Sequence, residues 1–472
     1  MMKLFGTDGI RSEYNNFPMI DKDLIKIGYC FAKSMFGNNH GRIFIGNDGR
    51  ESSTDILNSL NTGISQQGSD VISVGLLPTP ALSSCIYLNN NSKTAGIQIT
   101  ASHNPYFHNG LKFFDNKGQK IDHDMEQLIE RYFDDHKTIL NTNLNGKKIE
   151  HNLTDFQNIY ISYIDKYLLS KALNKNTRKL NILVDCANGA ASHLVDKIFK
   201  NSQINLIPIF NEPNGSNINL NCGATDLTAL KDFISSFNSI QAKSTKKEKE
   251  SILKIDLGVA LDGDADRVIF VDEKGNVIDG DKVLFLLSQY YRDKYDYNGP
   301  IVGTVMTNYG IQKLYKDKDI RFIETDVGDK NVLDEMKKSN SLLGGESSGH
   351  IIIKDNINRY VGDGLITMIN FIEIMLENVD TFLKYEREIT LIPATLTNIS
   401  VPDKQKFMSD SKNILAIQKI KEKIDVHGRI LIRPSGTENI IRLLVEHEDI
   451  NEIKNLINYF YDNINKDTIH DK

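Results

Sequence analysis

Along the first hundred residues, short apolar runs alternate with longer segments of helical periodicity. RIFIGND from Arg42 and DVISVG from Asp70 read as strands, and STDILNSLNTGISQQG between them reads as a helix ending at Gly68. TAGIQIT follows as a third strand and runs directly into ASHNP. Strand, helix, strand at this spacing predicts an α/β layer. After a polar stretch at Asn141–Gly146 and Lys147–Lys148, which reads as a linker, KLNILVDCANGAASHLVDKIF repeats strand, glycine turn and helix. Ser236–Lys254 is polar and lysine-rich and reads as a surface insertion or mobile loop. DLGVALDGDADRVIFVDEKGNVIDG then sets two strands on either side of an acid-rich turn. IVGTVMT, RFIETDVG and SLLGGESSGHIIIK continue the α/β rhythm, and the portion from about Thr381 reads as a separate small α+β domain. No convincing sequence repeat is visible.

At 472 residues the chain is too long for one ordinary core and predicts three or four domains. The expected boundaries are 1–146, 147–254, 255–378 and 379–472. Hydrophobic residues make up 40% and charged residues 25%, a normal globular balance. The net charge of −6 offers no overall basic field for nucleic acid, so an anionic substrate needs a local basic pocket. Cys30, Cys85, Cys186 and Cys222 form no C-x-x-C pair, which points to a reducing compartment rather than a disulfide framework. The opening MMKLFGTDGIR reaches glycine and charge too early for a signal peptide, and no run of about 18 apolar residues exists. The expectation is a cytoplasmic protein with no membrane partner.

Five short stretches carry candidate chemistry. In DGDADR, Asp262, Asp264 and Asp266 alternate, and three like charges on one turn invite a hard divalent cation; a solvated acidic turn is the equally weighted alternative. Counted from Asp262, Glu273 falls where an EF-hand has its last ligand, but Arg267 stands where that loop needs glycine, and the flanks read as strands. In TASHNP, Ser102 lies at a strand end, either a nucleophile or a turn-former, with His103 beside it and Lys112 shortly after. GESSG fits a nucleophile elbow centred on Ser347, but the following HIIIK reads as a strand where the elbow needs a helix. With Glu346, Ser348 and His350 close together, recognition of a sugar ring fits better. RPSGTENIIR offers Arg433, Ser435, Gly436 and Thr437 as a phosphate cradle, with Arg442 just downstream. FGTDGIR ends in Arg11, which can clamp a phosphate or pair with an acid.

Together and in this order, FGTDGIR, TASHNP with NGLKFF, DGDADR, GGESSGH and RPSGTE resemble the α-D-phosphohexomutase family over essentially the whole chain. KLFGTDGIR, VDCANGA, EPNGSNIN, GATD, VIDGD, GTVMTN and VGDK are similar to the branch of that family that acts on glucosamine phosphate. The resemblance implies an α/β fold of four domains around a central cleft: three related α/β domains and a smaller C-terminal α+β domain. It implies a phosphorylated Ser102 and one Mg²⁺ held by Asp262, Asp264, Asp266 and that phosphoserine. It places Arg11, Lys112 and His103 at the reacting phosphate, with Lys112 as general base. It gives Glu346, Ser348, His350, Lys330 and Arg267 to the sugar, and Arg433, Ser435, Gly436, Thr437 and Arg442 to its far phosphate. It implies sugar phosphate substrates, glucosamine or glucose 1,6-bisphosphate as primer, a phosphoryl donor or kinase that first charges the serine, and a monomer or homodimer. The alternatives are a sister mutase acting on mannose or glucose phosphates and a non-catalytic phosphosugar-binding protein. Ser12, Ala265, Asn439 and RYVGDG depart from the family pattern, and the lysine-rich insert is longer than usual. Ala265 replaces a glycine, which the loop tolerates if that residue needs no positive φ.

Overall fold

The computed structural model describes residues 4–6, 8–89, 91–135, 146–170, 179–198, 204–244, 253–355, 359–377, 379–424, 426–435 and 439–470. The chain forms two compact units, Met1–Thr304 with Ile323–Leu383, and Val305–Phe322 with Lys384–Lys472. The first unit contains three sheets.

The first sheet has the order β1-β5-β4-β2-β3-β6. Its strands are β1 (Ile10–Glu13), β2 (Arg42–Asn47), β3 (Asp70–Leu76), β4 (Thr94–Ile99), β5 (His108–Phe114) and β6 (Glu150–His151). β3, β2 and β4 are parallel, and β5 turns back antiparallel to β4. Helices α1 (Asp21–Phe36) and α2 (Ser53–Gln67) cover one face. Leu24, Ile27 and Phe31 meet Ile56, Leu60 and Ile64 over Ile43, Ile45, Ile97 and Ile99. Burying each such side chain contributes roughly 1.5–3 kcal/mol. The two helix backbones touch where a Cβ on Gly63 would lie 1.8 Å from the Ile25 carbonyl oxygen, so only glycine fits that crossing. Helix α2 ends where the sequence puts its stop, with Gly68 at φ +110. Helices α3 (Thr79–Asn89), α4 (His123–Asp134) and α5 (Leu153–Ser170) complete this part of the chain.

The second sheet has the order β11-β10-β9-β7-β8. It contains β7 (Leu180–Asp185), β8 (Ile204–Ile209), β9 (Leu257–Leu261), β10 (Val268–Asp272) and β11 (Val277–Ile278). β8, β7 and β9 are parallel, and β10 returns antiparallel to β9. This corrects two expected boundaries. The acid-rich turn joins β9 to β10 and so belongs with residues 180–209, because β9 hydrogen bonds to β7. Residues 150–151 belong to the first sheet, because β6 pairs with β3. The helix expected after VDCANGA is a series of turns over the described residues, where the Ser192 hydroxyl bonds back to the Gly189 carbonyl and competes with a helical ladder. The first part of the lysine-rich segment is the end of α6 (Thr228–Lys243), and residues 245–252 lie outside the described residues.

The third sheet has the order β13-β12-β14-β15-β16. Its strands are β12 (Ile301–Thr304), β13 (Phe322–Thr325), β14 (Leu343–Gly345), β15 (Ile351–Lys354) and β16 (Tyr360–Gly362). Here β12 and β14 are parallel and β15 returns antiparallel. Its helices are α7 (Gly280–Tyr295), α9 (Asp329–Ser339) and α10 (Gly364–Glu377); α8 (Tyr309–Asp317) belongs to the second unit, and α11 (Val379–Glu388) leads into it. The three sheets therefore share one plan, a parallel pair followed by an antiparallel return, which no sequence similarity announces. TASHNP, DGDADR and GESSGH occupy the same place in that plan, the turns β4–β5, β9–β10 and β14–β15.

The second unit carries an antiparallel sheet of order β17-β19-β18, from Ala394–Ser400, Ile440–His447 and Gly428–Pro434. It also contains α12 (Lys404–Ser409), α13 (Ser411–Lys423) and α14 (Ile450–Asn463). Phe407, Ile420, Leu456 and Phe460 pack against Ile441, Leu443 and Val445, giving the α+β arrangement expected from the sequence. All four cysteines are free and buried. Among the described residues, no helix is long and apolar enough to cross a membrane.

Candidate active site

The β4–β5 turn and the β9–β10 turn meet backbone to backbone. A Cβ on Gly263 would lie 2.7 Å from the Ser102 carbonyl oxygen, so this contact requires glycine. Ser102 is fully buried, and its Oγ donates to Asp262 Oδ2 at 2.6 Å. Asp262, Asp264 and Asp266 are buried with one carboxylate oxygen of each within 4.8 Å of the others. Burial, and then the charges of Asp266 and Asp264, push the Asp262 carboxyl up to about 8. Asp264 Oδ1 and Asp266 Oδ1 are buried without a hydrogen-bond partner. Orphaned oxygens on mutually repelling, buried carboxylates fit a hard divalent cation with oxygen ligands.

Lys112, on β5, reaches this cluster from the first sheet. Its Nζ donates to Asp264 Oδ2 at 2.8 Å and to Asp266 Oδ2, and lies 3.3 Å from Asp8 Oδ2. Burial alone would lower this lysine, but the Asp264, Asp266 and Asp8 carboxylates hold it well above its usual range. A general base must lose its proton near working pH. Within this cluster Lys112 is paired with the carboxylates and neutralises their charge, and its role as general base stands as a proposal. Arg11 Nη2 also pairs with Asp8, at 2.6 Å. Lys120 Nζ bridges Asp8 Oδ1, at 2.6 Å, and Asp329 Oδ2 at the start of α9. Burial would raise the Asp8 carboxyl, but Lys112, Lys120 and Arg11 bring it well below the usual range.

His103 Nδ1 lies 3.4 Å from Ser102 Oγ. Burial, then the Arg267 and Arg11 charges, lower His103 to about 3. An imidazole depressed in the folded state stays neutral while the unfolded chain takes up protons. Its contribution is complete above the unfolded value of about 6.5 and is lost as pH falls toward 3. His103→Asn is expected to reduce the acid destabilisation in that window, as measured by urea unfolding across pH, and an unchanged pH dependence would contradict the neutral state.

The β14–β15 turn supplies Glu346, Ser348 and His350. Ser348 is exposed, and Glu346 is half-buried with Oε1 accepting from Gly328 N at 2.9 Å. His350 immediately precedes β15. It is buried, with Nδ1 3.6 Å from Asp266 Oδ1 and Nε2 3.8 Å from Asp329 Oδ2. Burial alone would lower it, but Asp266 and Asp329 raise it on balance. The expected sugar ligand Lys330 has its ammonium 2.8 Å from Glu126 Oε2 on α4. Arg267 donates its backbone N–H to Asp262 Oδ1 at 3.1 Å, and its Nε lies 4.0 Å from Asp262 Oδ2.

Ala265 has φ +57, so the departure from glycine does fall on a left-handed position. Relief of this strain, less the added freedom of the unfolded chain, predicts that Ala265→Gly stabilises the fold by about 1 kcal/mol or less. Denaturant unfolding checks this, and a clear loss of stability would show that the Ala265 methyl packs more than it strains.

In the second unit, Arg433 on β18 lies directly opposite Arg442 on β19. Two guanidinium groups on one face of a sheet repel unless an anion joins them. Ser435 follows β18, and its carbonyl accepts from Lys404 Nζ at 2.7 Å. Gly436 and Thr437 lie outside the described residues. The sequence reading missed Asp8, Lys120, Asp329 and Thr79, whose hydroxyl donates to Asp264 Oδ2. Asp8 stands inside FGTDGIR and was there to be read; the others have no local signal, because their partners lie on other elements.

A serine aimed at a buried carboxylate triad and flanked by fixed cations is equipment for moving a phosphoryl group. Four family models for phosphoglucomutase/phosphomannomutase match the chain: α/β/α domain I at residues 2–139, domain II at 158–275, domain III at 279–388, and the C-terminal domain at 396–462. The chain belongs to this family, the α-D-phosphohexomutases. It is 38% identical to the phosphoglucosamine mutase of Carboxydothermus hydrogenoformans, over 95% of this chain and 96% of that one. It is 34% identical to the phosphoglucosamine mutase of Alcanivorax borkumensis, over 96% of each. In fold it is similar to a phosphoglucomutase/phosphomannomutase family protein of Burkholderia thailandensis, with a TM-score of 0.74, 21% identity and coverage of 97% and 96%. It is also similar to Aspergillus fumigatus N-acetylphosphoglucosamine mutase, solved with GlcNAc-6P and magnesium, with a TM-score of 0.64, 17% identity and coverage of 97% and 95%.

Proposed function

We propose that the protein is an isomerase interconverting glucosamine 6-phosphate and glucosamine 1-phosphate, which supplies UDP-N-acetylglucosamine synthesis for the cell envelope. The observation that carries this reading is Ser102 Oγ held 2.6 Å from Asp262 in a buried triad, in a chain 38% identical over nearly its whole length to a phosphoglucosamine mutase. Phospho-Ser102 gives its phosphoryl group to the free hydroxyl of the substrate: the serine O–P bond breaks, a sugar O–P bond forms, and the proton given up by the sugar hydroxyl is balanced by the one that Ser102 Oγ takes up as it leaves as a hydroxyl. The 1,6-bisphosphate reverses its orientation, and Ser102 takes the other phosphoryl group in the mirror step. Glucosamine or glucose 1,6-bisphosphate, or an activating kinase, charges the serine at the outset.

Asp262, Asp264 and Asp266, with a phosphoserine oxygen, would hold one Mg²⁺, which when bound supplies neutralisation of charge on the transferring oxygens. Lys112 keeps Asp264 and Asp266 in place and adds positive charge beside the transfer. Arg11 is proposed to face the reacting phosphate, with His103 beside Ser102 as a neutral imidazole. Glu346 and Ser348 are the proposed readers of sugar hydroxyls, with Arg267 nearby. Arg433, Ser435, Gly436, Thr437 and Arg442 are the proposed grip on the non-reacting phosphate. A cytoplasmic location is part of the same proposal, because multiply charged sugar phosphates do not cross apolar membranes.

Comparing kcat/KM on glucosamine, glucose and mannose phosphates tests the substrate. The glucosamine compound is expected to lead clearly, and a lead for mannose or glucose phosphate would transfer the chain to the sister activity.

A further inference from the structure

Ser102 is held in a conformation that its own side chain disfavours. Its φ is +52. A left-handed residue with a Cβ costs roughly 1–2 kcal/mol. The groups that hold it form a closed ring behind the site. Thr100 Oγ1 accepts from Ser102 N at 2.8 Å and donates to Asp48 Oδ2 at 2.7 Å. Asp48 Oδ2 also accepts from Arg50 Nε at 2.9 Å. Arg50 Nη2 returns to the Ser102 carbonyl at 2.9 Å and closes the ring. Its Nη1 donates to the His108 carbonyl at 2.9 Å and to the Pro105 carbonyl. One guanidinium thus ties the carbonyls of residues 102, 105 and 108, which a single ammonium cannot do in the same geometry. From the second sheet's side, Asn219 Nδ2 donates to the Ser102 carbonyl at 2.9 Å and to the Asn104 carbonyl at 3.1 Å. Asp48, Arg50 and Thr100 are no more than 2% exposed, and each donates or accepts within this ring.

We propose that Arg50, Asp48 and Thr100 are positioning residues for phosphoryl transfer. They fix both sides of the Ser102 peptide, so that Oγ stands against the carboxylate triad without a search through other rotamers and turns. The inference rests on Ser102 being the phosphoryl carrier. A purely structural role for the ring would lower stability alone. A positioning role lowers the rate of transfer at a serine that still binds its substrate, since a displacement of about 1 Å at a reacting atom can cost about 100-fold.

The deciding pair is Thr100→Val, which keeps the shape and removes both hydrogen bonds, and Thr100→Ser, which restores the hydroxyl. Three quantities are read: hydrogen exchange at the amides of residues 101–104 and 106–108, phosphate on Ser102 by intact mass after incubation with glucose 1,6-bisphosphate, and kcat with KM. Thr100→Val is expected to speed exchange at the Ser102 amide at least about tenfold and lower kcat at least about tenfold, with KM within about twofold. Ser102 is expected to charge more slowly, and Thr100→Ser to recover all three readings. Arg50→Lys is expected to fall between them. Exchange and kcat both unchanged in a folded Thr100→Val would overturn the proposal, as would a raised KM at unchanged kcat. If the wild-type protein neither carries phosphate nor turns over sugar phosphates, the mutase reading fails by itself, and exchange at Ser102 still reports whether the ring holds the turn.

Discussion

Ser102→Ala is expected to lose the phosphate seen by intact mass and to lower kcat by about 1000-fold or more, because no other group takes its place as covalent carrier. The fold should survive. The change removes one hydrogen bond, from Oγ to Asp262 Oδ2. The carboxyl left behind keeps the backbone N–H of Arg267 on its other oxygen, at 3.1 Å. A net cost of about 1–2 kcal/mol follows for the lost bond. Activity and stability should therefore separate: an inactive protein that melts close to wild type. A Ser102→Ala protein that turns over normally would end the covalent mechanism.

Lys112→Met has the largest expected effect on stability. Lys112 is the cation that joins Asp264, Asp266 and Asp8; Lys112, Asp264 and Asp266 are buried, and Asp8 is partly buried. Taking one partner out of a buried ion cluster leaves uncompensated charge and costs about 3–5 kcal/mol. A divalent cation bound by the triad replaces part of the missing charge. The melting temperature should therefore fall most in chelator and recover in part when Mg²⁺ is added. Activity should fall at least about 100-fold, from the loss of fixed positive charge beside the transferring group. A Lys112→Met protein that melts like wild type in chelator would show that the carboxylates do not depend on this ammonium. A Lys112→Gln variant, which keeps hydrogen-bond donors without charge, separates the two contributions.

The strand and helix positions of the first sheet were legible in the sequence, because each depends on neighbours along the chain. Arg42–Asn47, Ser53–Gln67, Asp70–Leu76 and Thr94–Ile99 fall where apolar period and a glycine stop put them. The segments after residues 185 and 235 were read less well. There, side-chain hydrogen bonds and the continuation of α6 decided the outcome, and both depend on burial that composition does not report. The domain boundary before DGDADR failed for a related reason. The lysine-rich stretch looks like a linker, yet β9 beyond it completes the sheet begun by β7.

Residue type alone determined much about this protein. A serine at a strand end, three alternating aspartates, a glycine-flanked Glu-Ser-Ser turn and an arginine-serine loop are each visible in a few adjacent letters. Their order along the chain was enough for the resemblance to phosphohexomutases. What only tertiary structure decided is how these pieces act on one another. Three turns at the same place in three sheets that share one plan without visible sequence similarity bring Ser102 to Asp262 and His350 to Asp266. The carboxylates of Asp264, Asp266 and Asp8 hold Lys112 well above its usual range, against the opposing effect of burial. Asp48, Arg50 and Thr100 lock the serine from behind. Periodicity and residue type are local properties, whereas desolvation and charge coupling join residues far apart in the chain, such as Ser102 and Asp262, 160 positions apart, and no short stretch of sequence carries them.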